Sequence, residues 1–141
     1  MIRRFKTEHT VPSQGYLIYE KNNENVYDPV VAFTGDTTIG FLFLEENKSI
    51  INDVLRAPVL IMEMTYIEND KKDRKDKLSL ATERGHMHLD HFVKEISRFK
   101  NEQIVLIHFS AAYSAEVIRE TLRTKLPPSH QNIVKPLLVG F

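Results

Sequence analysis

A carboxylate or an imidazole follows each of three short apolar runs in this sequence. These side chains are Asp36 after the run at 30–33, Glu63 after the run at 59–62 and His108 after the run at 104–107. If the runs are parallel strands, their carboxyl ends meet at one edge of a sheet, where ligands bind in open α/β folds. Gly35 allows the sharp turn that exposes Asp36. The sequence therefore predicts a site that these three side chains share.

Each of these residues alone also fits a purely structural role. Asp after Gly is a common turn pair, Glu at a strand end is often solvated, and a buried His is often satisfied by a hydrogen bond. Their occurrence at equivalent places favours one shared site over three separate structural roles.

The composition is that of one globular domain spanning residues 1–141. The formal net charge is zero, so no overall basic field points to nucleic acid or to an anionic membrane. Cysteine is absent, so any metal must be held by His, Asp or Glu. No apolar run approaches the roughly 20 residues of a membrane span, and the start of the chain lacks a signal peptide's apolar core. We therefore expect an intracellular protein, cytoplasmic or nuclear, without a membrane partner.

Turn and cap residues divide the first third of the chain into short elements. Residues 1–20 predict two extended pieces around a turn in which Pro12 fixes the backbone and Gly15 permits positive φ. His9 ends the first of these pieces. Ser49 is placed to cap a short helix that precedes the second apolar run.

The rest of the chain predicts two amphipathic helices and a last strand. Gly85 precedes the first helix, and the second starts near Ser114 and ends before a Pro-Pro pair. Residues 133–139 predict the last strand.

Residues 68–77 are a mixed charge run typical of a solvated loop, and the interspersed acids disfavour contact of its basic residues with RNA.

Strands and helices alternate along the chain, which predicts an α/β fold with a parallel core in its sheet. Right-handed crossovers between neighbouring strands place the helices on one face of that sheet. The second and third apolar runs are apolar throughout, as in strands buried on both faces. We therefore predict half of a sandwich, whose open sheet face is covered by a missing segment, a second copy or another protein.

Residues 86–91 match the pattern H-x-H-x-D-H, the first metal-binding motif of metallo-β-lactamase-type hydrolases. Here the pattern opens a predicted helix, in which successive residues are about 100° apart. His86 and Asp90 then lie on one side of the helix, and His88 and His91 lie on another. Because four groups so arranged do not converge on one metal pair, His86 alone is the favoured functional candidate.

Five motifs, in this order and spacing, resemble one known family. They are FKTEHTVPSQGY at 5–16, AFTGDT at 32–37, VLIMEMTY at 59–66, GHMH at 85–88 and LIHFSA at 106–111. The chain is similar to the carboxy-terminal half of tRNase Z (ribonuclease Z), a zinc endonuclease of the metallo-β-lactamase superfamily, and most of all to its short plant-like form. The resemblance implies half of an αβ/βα sandwich, with a mixed sheet and helices on one face.

The resemblance also implies roles for individual residues. His9, Asp36 and His108 match metal ligands of the family, and Asp36 matches the aspartate that bridges the two zinc ions in the family's complete site. Glu63 and His86 match the pair that delivers a proton to the leaving 3′ oxygen in the family. Asp36 is also predicted to be a catalytic residue. A Glu beside a His orients the imidazole and makes it a usable general acid.

The sequence departs from the family pattern in several respects. The His-x-His-x-Asp-His motif belongs to the family's amino-terminal half, so only part of the ligand set is expected here. Met62 and Met64 flank Glu63, where the family has His and Ala. Ala112 replaces an Arg that would bind phosphate. Ser110, in the same motif as Ala112, is predicted to contact substrate.

Three functional hypotheses follow. The first is a zinc-dependent endoribonuclease that removes 3′ trailers from tRNA precursors, in which this chain supplies part of a dinuclear site. An amino-terminal half or a second copy of the chain then completes that site. The alternative is a non-catalytic module derived from tRNase Z that pairs with another chain. A third reading, a related hydrolase acting on a small phosphodiester, is disfavoured by the Gly-Asp-Thr and His-Phe-Ser motifs.

Overall fold

The chain alternates between strands and helices. The computed structural model describes residues 1–68 and 76–140. The strands are β1 (Ile2–Lys6), β2 (Gln14–Lys21), β3 (Tyr27–Phe33), β4 (Val59–Glu63), β5 (Gln103–Ile107) and β6 (Val134–Pro136). The helices are α1 (Ile51–Arg56), α2 (Lys77–Arg84), α3 (Leu89–Glu95) and α4 (Ala115–Lys125). Short 3₁₀ helices lie at Ile39–Phe43, Glu45–Asn47 and Ile96–Arg98.

The strands form a six-stranded sheet in the order β1-β2-β3-β4-β5-β6. β1, β2 and β3 pair antiparallel, whereas β3, β4, β5 and β6 pair parallel. The predicted mixed sheet with a parallel core is therefore confirmed. Because each parallel connection joins adjacent strands, right-handed crossovers bring the helices to the same face of the sheet.

One face of the sheet forms the hydrophobic core together with the helices. Its fully buried strand residues are Leu17, Ala32, Leu60, Met62, Ile104 and Leu106. The helices contribute Val54 from α1, Ala81 from α2, Leu89 and Phe92 from α3, and Ile118 and Leu122 from α4. Apart from Ala81, these residues belong to one continuous cluster, so the sheet and the helices α1, α3 and α4 are stabilised by the same burial of apolar surface.

The opposite face of the sheet, which we name the open face, is apolar but only partly covered. Tyr16, Ile18 and Phe33 are 38%, 41% and 37% exposed. Strand register places them beside four half-buried residues, which are Val31, Val59, Ile61 and Val105. Helices on one face and an exposed apolar surface on the other are the predicted arrangement. Among the described residues, nothing packs over the open face to bury it.

Predicted helix and strand ends agree with the structure at some positions only. The Ser114 side chain accepts the Val117 N–H at the start of α4, as predicted. Ser49 does not cap α1, which starts without any side-chain cap, so that prediction is wrong. The last strand covers Val134–Pro136, which is shorter than the predicted 133–139.

The helix α2 was not predicted, because its sequence is polar and follows the charged run. Its start is defined by Asp76, whose side chain accepts the Leu78 N–H. Residues 69–75, which make up most of that charged run, lie outside the described residues.

Within the described parts of the chain, no helix is both long enough and apolar enough to cross a membrane.

Gly15 is required for close packing and not for the predicted turn. It lies in β2 opposite Phe5 of β1 and does not have positive φ. A Cβ atom on Gly15 would overlap the ring of Phe5, which is buried. Gly15 therefore does not use the positive φ that glycine permits, and glycine is needed here because an aromatic ring packs directly across the strand.

Candidate metal and active site

Four titratable side chains converge at the carboxyl ends of the parallel strands. Asp36 follows β3, Glu63 ends β4, His108 follows β5, and His86 lies between α2 and α3. One ligand atom from each residue lies within 4.8 Å of the ligand atoms of the others. The arrangement brings two imidazoles and two carboxylates together at one edge of the sheet.

Left-handed backbone conformations present Asp36 and His108. Gly35 has a φ of 63° and His108 has a φ of 61°. Positive φ is uncommon in a residue with a side chain, and such conformations concentrate at functional sites. Asp36 Oδ1 lies 3.6 Å from His108 Nδ1, which is too long for a hydrogen bond. The Asp36 side chain is also 42% exposed, so its carboxylate is accessible to a ligand.

Glu63 is the buried member of this group, and it accepts hydrogen bonds from three neighbouring residues. Its Oε1 accepts the Thr37 N–H at 2.9 Å and lies 2.8 Å from His86 Nδ1. Its Oε2 accepts the Thr65 N–H at 3.1 Å and the Thr65 hydroxyl at 2.7 Å. A carboxylate offers about four lone-pair positions, and these bonds occupy them. Glu63 therefore orients the groups around it and has no acceptor position left for a ligand.

The tight end of α2 positions His86. Gly85 ends this helix with a φ of 74°, and the His86 N–H donates to the Ala81 carbonyl at 2.9 Å. Because a carboxylate only accepts, the contact with Glu63 places a proton on His86 Nδ1. The other ring nitrogen, Nε2, is then left for a ligand or a substrate atom.

His9 lies beside this group but outside it. Its Nδ1 is 2.7 Å from the Gly85 carbonyl, which can only accept, so Nδ1 carries the proton and Nε2 is left. The ring centroids of His9 and His86 are 5.0 Å apart. Of the three predicted metal ligands, Asp36 and His108 belong to the group of four, whereas His9 reaches it through its contact with the His86 ring.

Ser110 shapes the loop after β5. Its N–H donates to the Thr65 carbonyl at 3.0 Å, and its hydroxyl accepts the Ala112 N–H at 3.3 Å. These bonds hold the loop that carries His108 against the end of β4. The structure therefore gives Ser110 a structural contact, and its predicted contact with substrate stays a prediction.

The H-x-H-x-D-H pattern separates into one site residue and several structural ones. His88 is fully buried and caps α3, because its Nδ1 accepts the Asp90 N–H at 3.0 Å. Asp90 pairs with Lys125 at 2.8 Å. Burial is the main cause that lowers the pKa of His88, which favours the neutral ring that the cap requires. Only His86 joins the group at the strand ends, as expected.

No role was predicted for Thr37 or Thr65, although they lie in the motifs at 32–37 and 59–66. Thr37 supplies the backbone N–H for Glu63 Oε1, and Thr65 supplies two donors for Oε2. Thr65 lies two positions after Glu63, and such residues share a face in extended chain. That spacing was the available signal for Thr65, whereas the Thr37 contact depends on a turn that periodicity does not describe.

The comparison with known sequences gives relatives of one kind. No protein-family model matches the chain. The chain is 34% identical, over an alignment of 167 residues, to tRNase Z TRZ1 of Arabidopsis thaliana, with 99% of this chain and 55% of that protein covered. It is 30% identical to the chloroplastic tRNase Z TRZ2 of the same plant, with 100% of this chain and 44% of that protein covered. The chain therefore spans about half the length of the curated relatives it matches.

The comparison with solved structures gives the fold. The metallo-β-lactamase fold protein YhfI from Bacillus subtilis matches with a TM-score of 0.60 and 19% identity, over 99% of this chain and 48% of that chain. The short form of human tRNase Z matches with a TM-score of 0.56 and 22% identity, over 79% of this chain and 36% of that chain. The protein thus has a metallo-β-lactamase-type fold. Within that class its sequence resembles tRNase Z over almost its whole length, which confirms the resemblance predicted from its motifs.

The donor atoms at the site fit part of a zinc ligand set. Imidazole nitrogen and carboxylate oxygen both bind zinc, and catalytic zinc sites use about three protein ligands for each ion. Asp36 has an accessible carboxylate, and His108 lies beside it in the group of four. Glu63 is already saturated with hydrogen bonds, so the described chain offers fewer free donors than two zinc ions require.

Proposed function

We propose that this chain supplies part of the dinuclear zinc site of a tRNase Z-type endoribonuclease that removes 3′ trailers from tRNA precursors. The observation that carries the proposal is the 2.8 Å contact between Glu63 Oε1 and His86 Nδ1, beside Asp36 and His108. A buried carboxylate that holds an imidazole is the arrangement expected of a general acid. The resemblance to tRNase Z supports the choice of substrate class.

The chemistry of the chain's own residues follows from this geometry. Glu63 holds the Nδ1 side of His86, so a proton on Nε2 is directed away from Glu63 and can pass to a leaving oxygen. His9, Asp36 and His108 are the proposed zinc ligands. Bound zinc would lower the pKa of a coordinated water and neutralise phosphate charge.

We further propose that the open face is the surface against which the missing part of the enzyme packs. The chain spans about half of its curated relatives and 48% of YhfI, and the open face is apolar where the helices do not cover it. The occupant is either an amino-terminal half or a second copy of this chain. Either one would bring further zinc ligands to the strand ends.

A non-catalytic role is the second candidate. It is supported by the small number of free donor groups and by Ala112, an exposed residue where the family has Arg. In that case the chain would pair through the open face and support the fold of another chain. Precursor tRNA would then not be cut, whatever chain is added.

The test combines zinc content with cleavage. The chain, alone and with an amino-terminal tRNase Z half, is analysed for zinc by elemental analysis and assayed on a precursor tRNA and on a small chromogenic phosphodiester. The proposal expects zinc-dependent cleavage of the precursor at the 3′ trailer when both halves are present, and loss of zinc in His108→Ala. Absence of cleavage despite a stable, zinc-loaded complex would favour the non-catalytic module. Cleavage of the small phosphodiester alone would favour a different hydrolase.

A further inference from the structure

We propose that Thr65 is a positioning residue that links Glu63 to His108 and fixes which nitrogen of His108 is offered to a metal. Thr65 Oγ1 lies 2.7 Å from Glu63 Oε2 and 3.0 Å from His108 Nδ1. The hydroxyl is therefore within hydrogen-bond distance of both groups at once.

The number of available protons determines the direction of each bond. A threonine hydroxyl has one proton to donate and two lone pairs with which to accept. Glu63 as a carboxylate can only accept, so the Thr65 proton must lie between Oγ1 and Oε2. If that proton pointed to His108 instead, two oxygen lone pairs would face each other at 2.7 Å. Thr65 Oγ1 must therefore accept from His108, which places a proton on His108 Nδ1 and leaves Nε2 free.

The surroundings offer little competition to this arrangement. Thr65 is 9% exposed, so water has limited access to replace its bonds. The alternative partner of His108 Nδ1 is Asp36 Oδ1, which at 3.6 Å is beyond hydrogen-bond distance. The Thr65 backbone N–H also donates to Glu63 Oε2 at 3.1 Å, which holds the side chain and the carboxylate in register.

The consequence is that one carboxylate orients two imidazoles. Glu63 Oε1 holds Nδ1 of His86 directly, and Glu63 Oε2 holds Nδ1 of His108 through Thr65. His9 reaches the same tautomer through the Gly85 carbonyl. His9 and His108 thus offer Nε2 for metal binding, whereas Nε2 of His86 faces away from Glu63. Hydrogen-bonded groups of this kind, behind a ligating histidine, raise metal affinity because they fix the tautomer and the ring orientation.

The inference rests on the proposed function only where it treats His108 as a zinc ligand, whereas the tautomer can be measured without zinc or RNA. Long-range proton–nitrogen NMR of the zinc-free chain, at a pH well above the ordinary histidine pKa, reports which nitrogen of His108 carries the proton. We expect the Nδ1–H form in the wild type. In Thr65→Val, which removes the hydroxyl and keeps the shape, we expect that preference to be lost, and Thr65→Ser should restore it.

Zinc titration supplies the second readout. Thr65→Val should weaken zinc binding by about 10- to 100-fold, and Thr65→Ser should bind nearly as tightly as the wild type. Thr121→Val is the matched control, because Thr121 is also 9% exposed but lies on α4 and bonds Glu68 instead. Thr121→Val should change neither the tautomer of His108 nor the affinity for zinc. The titrations use the chain together with its completing half if the chain alone does not bind zinc.

Two results would overturn the inference. One is the Nε2–H form of His108 in the wild-type chain, which requires no variant to fold. The other is an unchanged tautomer in a folded Thr65→Val variant. A chain that shows the expected tautomer but never cleaves precursor tRNA would contradict the proposed function and leave the role of Thr65 intact.

Discussion

Glu63 Oε1 and His86 Nδ1 lie 2.8 Å apart, although 23 positions separate these residues in the chain. Glu63 ends a central strand, whereas His86 follows a helix that the sequence did not reveal. The pair therefore forms only when the sheet edge and the end of α2 come together. It depends on the tertiary fold and on the left-handed turn at Gly85.

Replacement of Glu63 by Gln should destabilise the protein. The amide group is the same size but replaces an acceptor by a donor, so buried donors that face it lose their partner. We expect the free energy of unfolding to fall by about 1–3 kcal/mol, measured by urea denaturation. Glu46→Gln is the control, because Glu46 pairs with Lys6 at the exposed surface. Equal stability of the two variants would show that the Glu63 contacts contribute nothing.

Zinc binding and cleavage should separate in two histidine variants of the completed enzyme. His86→Ala should keep zinc and slow precursor cleavage by about 10²–10⁴-fold, as expected for loss of a general acid. His108→Ala should lose both zinc and activity. Elemental analysis and a single-turnover cleavage assay measure the two effects. Loss of zinc in His86→Ala would instead identify His86 as a ligand.

Gly85→Ala should disturb the fold and the position of His9. A Cβ atom at Gly85 would lie 2.6 Å from His9 Nδ1 and 2.7 Å from the Thr10 nitrogen, and the φ of 74° is itself unfavourable for alanine. We expect the free energy of unfolding to fall by about 1–3 kcal/mol. Gly140→Ala separates the two causes, because Gly140 has a φ of 88° and open space around it. A similar loss of unfolding free energy in both variants would show that the positive φ causes the loss and that the clash with His9 and Thr10 does not.

The stability of the fold should decrease as the pH falls below the ordinary histidine pKa. Burial lowers the pKa of His88, and Lys125 and His91 lower it further, while the Glu68 carbonyl and Asp90 oppose them. The unfolded chain then binds the proton more readily than the folded chain does. The stability due to neutral His88 is complete above about pH 6.5 and is lost as the pH falls towards the lowered folded value.

Urea denaturation at about pH 7.5 and about pH 5.5 measures this change. His88→Asn keeps an acceptor for the Asp90 N–H but cannot be protonated, so it should show a smaller decrease. An identical decrease in wild type and variant would assign the pH dependence to other groups.

A charge on the open face should prevent association without unfolding the chain. Ile18 is 41% exposed there, so Ile18→Lys should fold but fail to bind a completing half or a second copy. Val117→Lys is the control, because Val117 is 36% exposed on α4 at the helix side of the sheet. Sedimentation velocity measures both. Equal association of the two variants would show that the open face is not the interface.

Much of the fold was accessible from the sequence because strands leave strong local signals. The apolar runs at 59–62 and 104–107 and the cap at Ser114 all lie where the periodicity and the cap residues predicted them. The helix α2 was missed because its sequence is polar and only one of its residues, Ala81, is fully buried. A helix with so little apolar surface is stabilised by its cap and by its surroundings, and neither leaves a periodic pattern.

The candidate site was partly accessible for a related reason. The residues after strand ends could be placed at one edge by topology alone, and the structure places Asp36, Glu63 and His108 there. The hydrogen bonds that orient them depend on turns, as at Thr37, or on a side chain two positions along, as at Thr65. Such contacts depend on the exact positions of individual atoms, which residue spacing does not encode.

The order of the strands in the sheet has a consequence for how the protein is made. From β2 onwards, each strand of the described sheet pairs with the one that precedes it along the chain, so it finds a neighbour without waiting for a later segment. Pairing between successive strands keeps loop-closure costs low and favours rapid folding. The sheet can thus grow strand by strand while the chain leaves the ribosome, with β4, β5 and β6 each added to an edge that already exists.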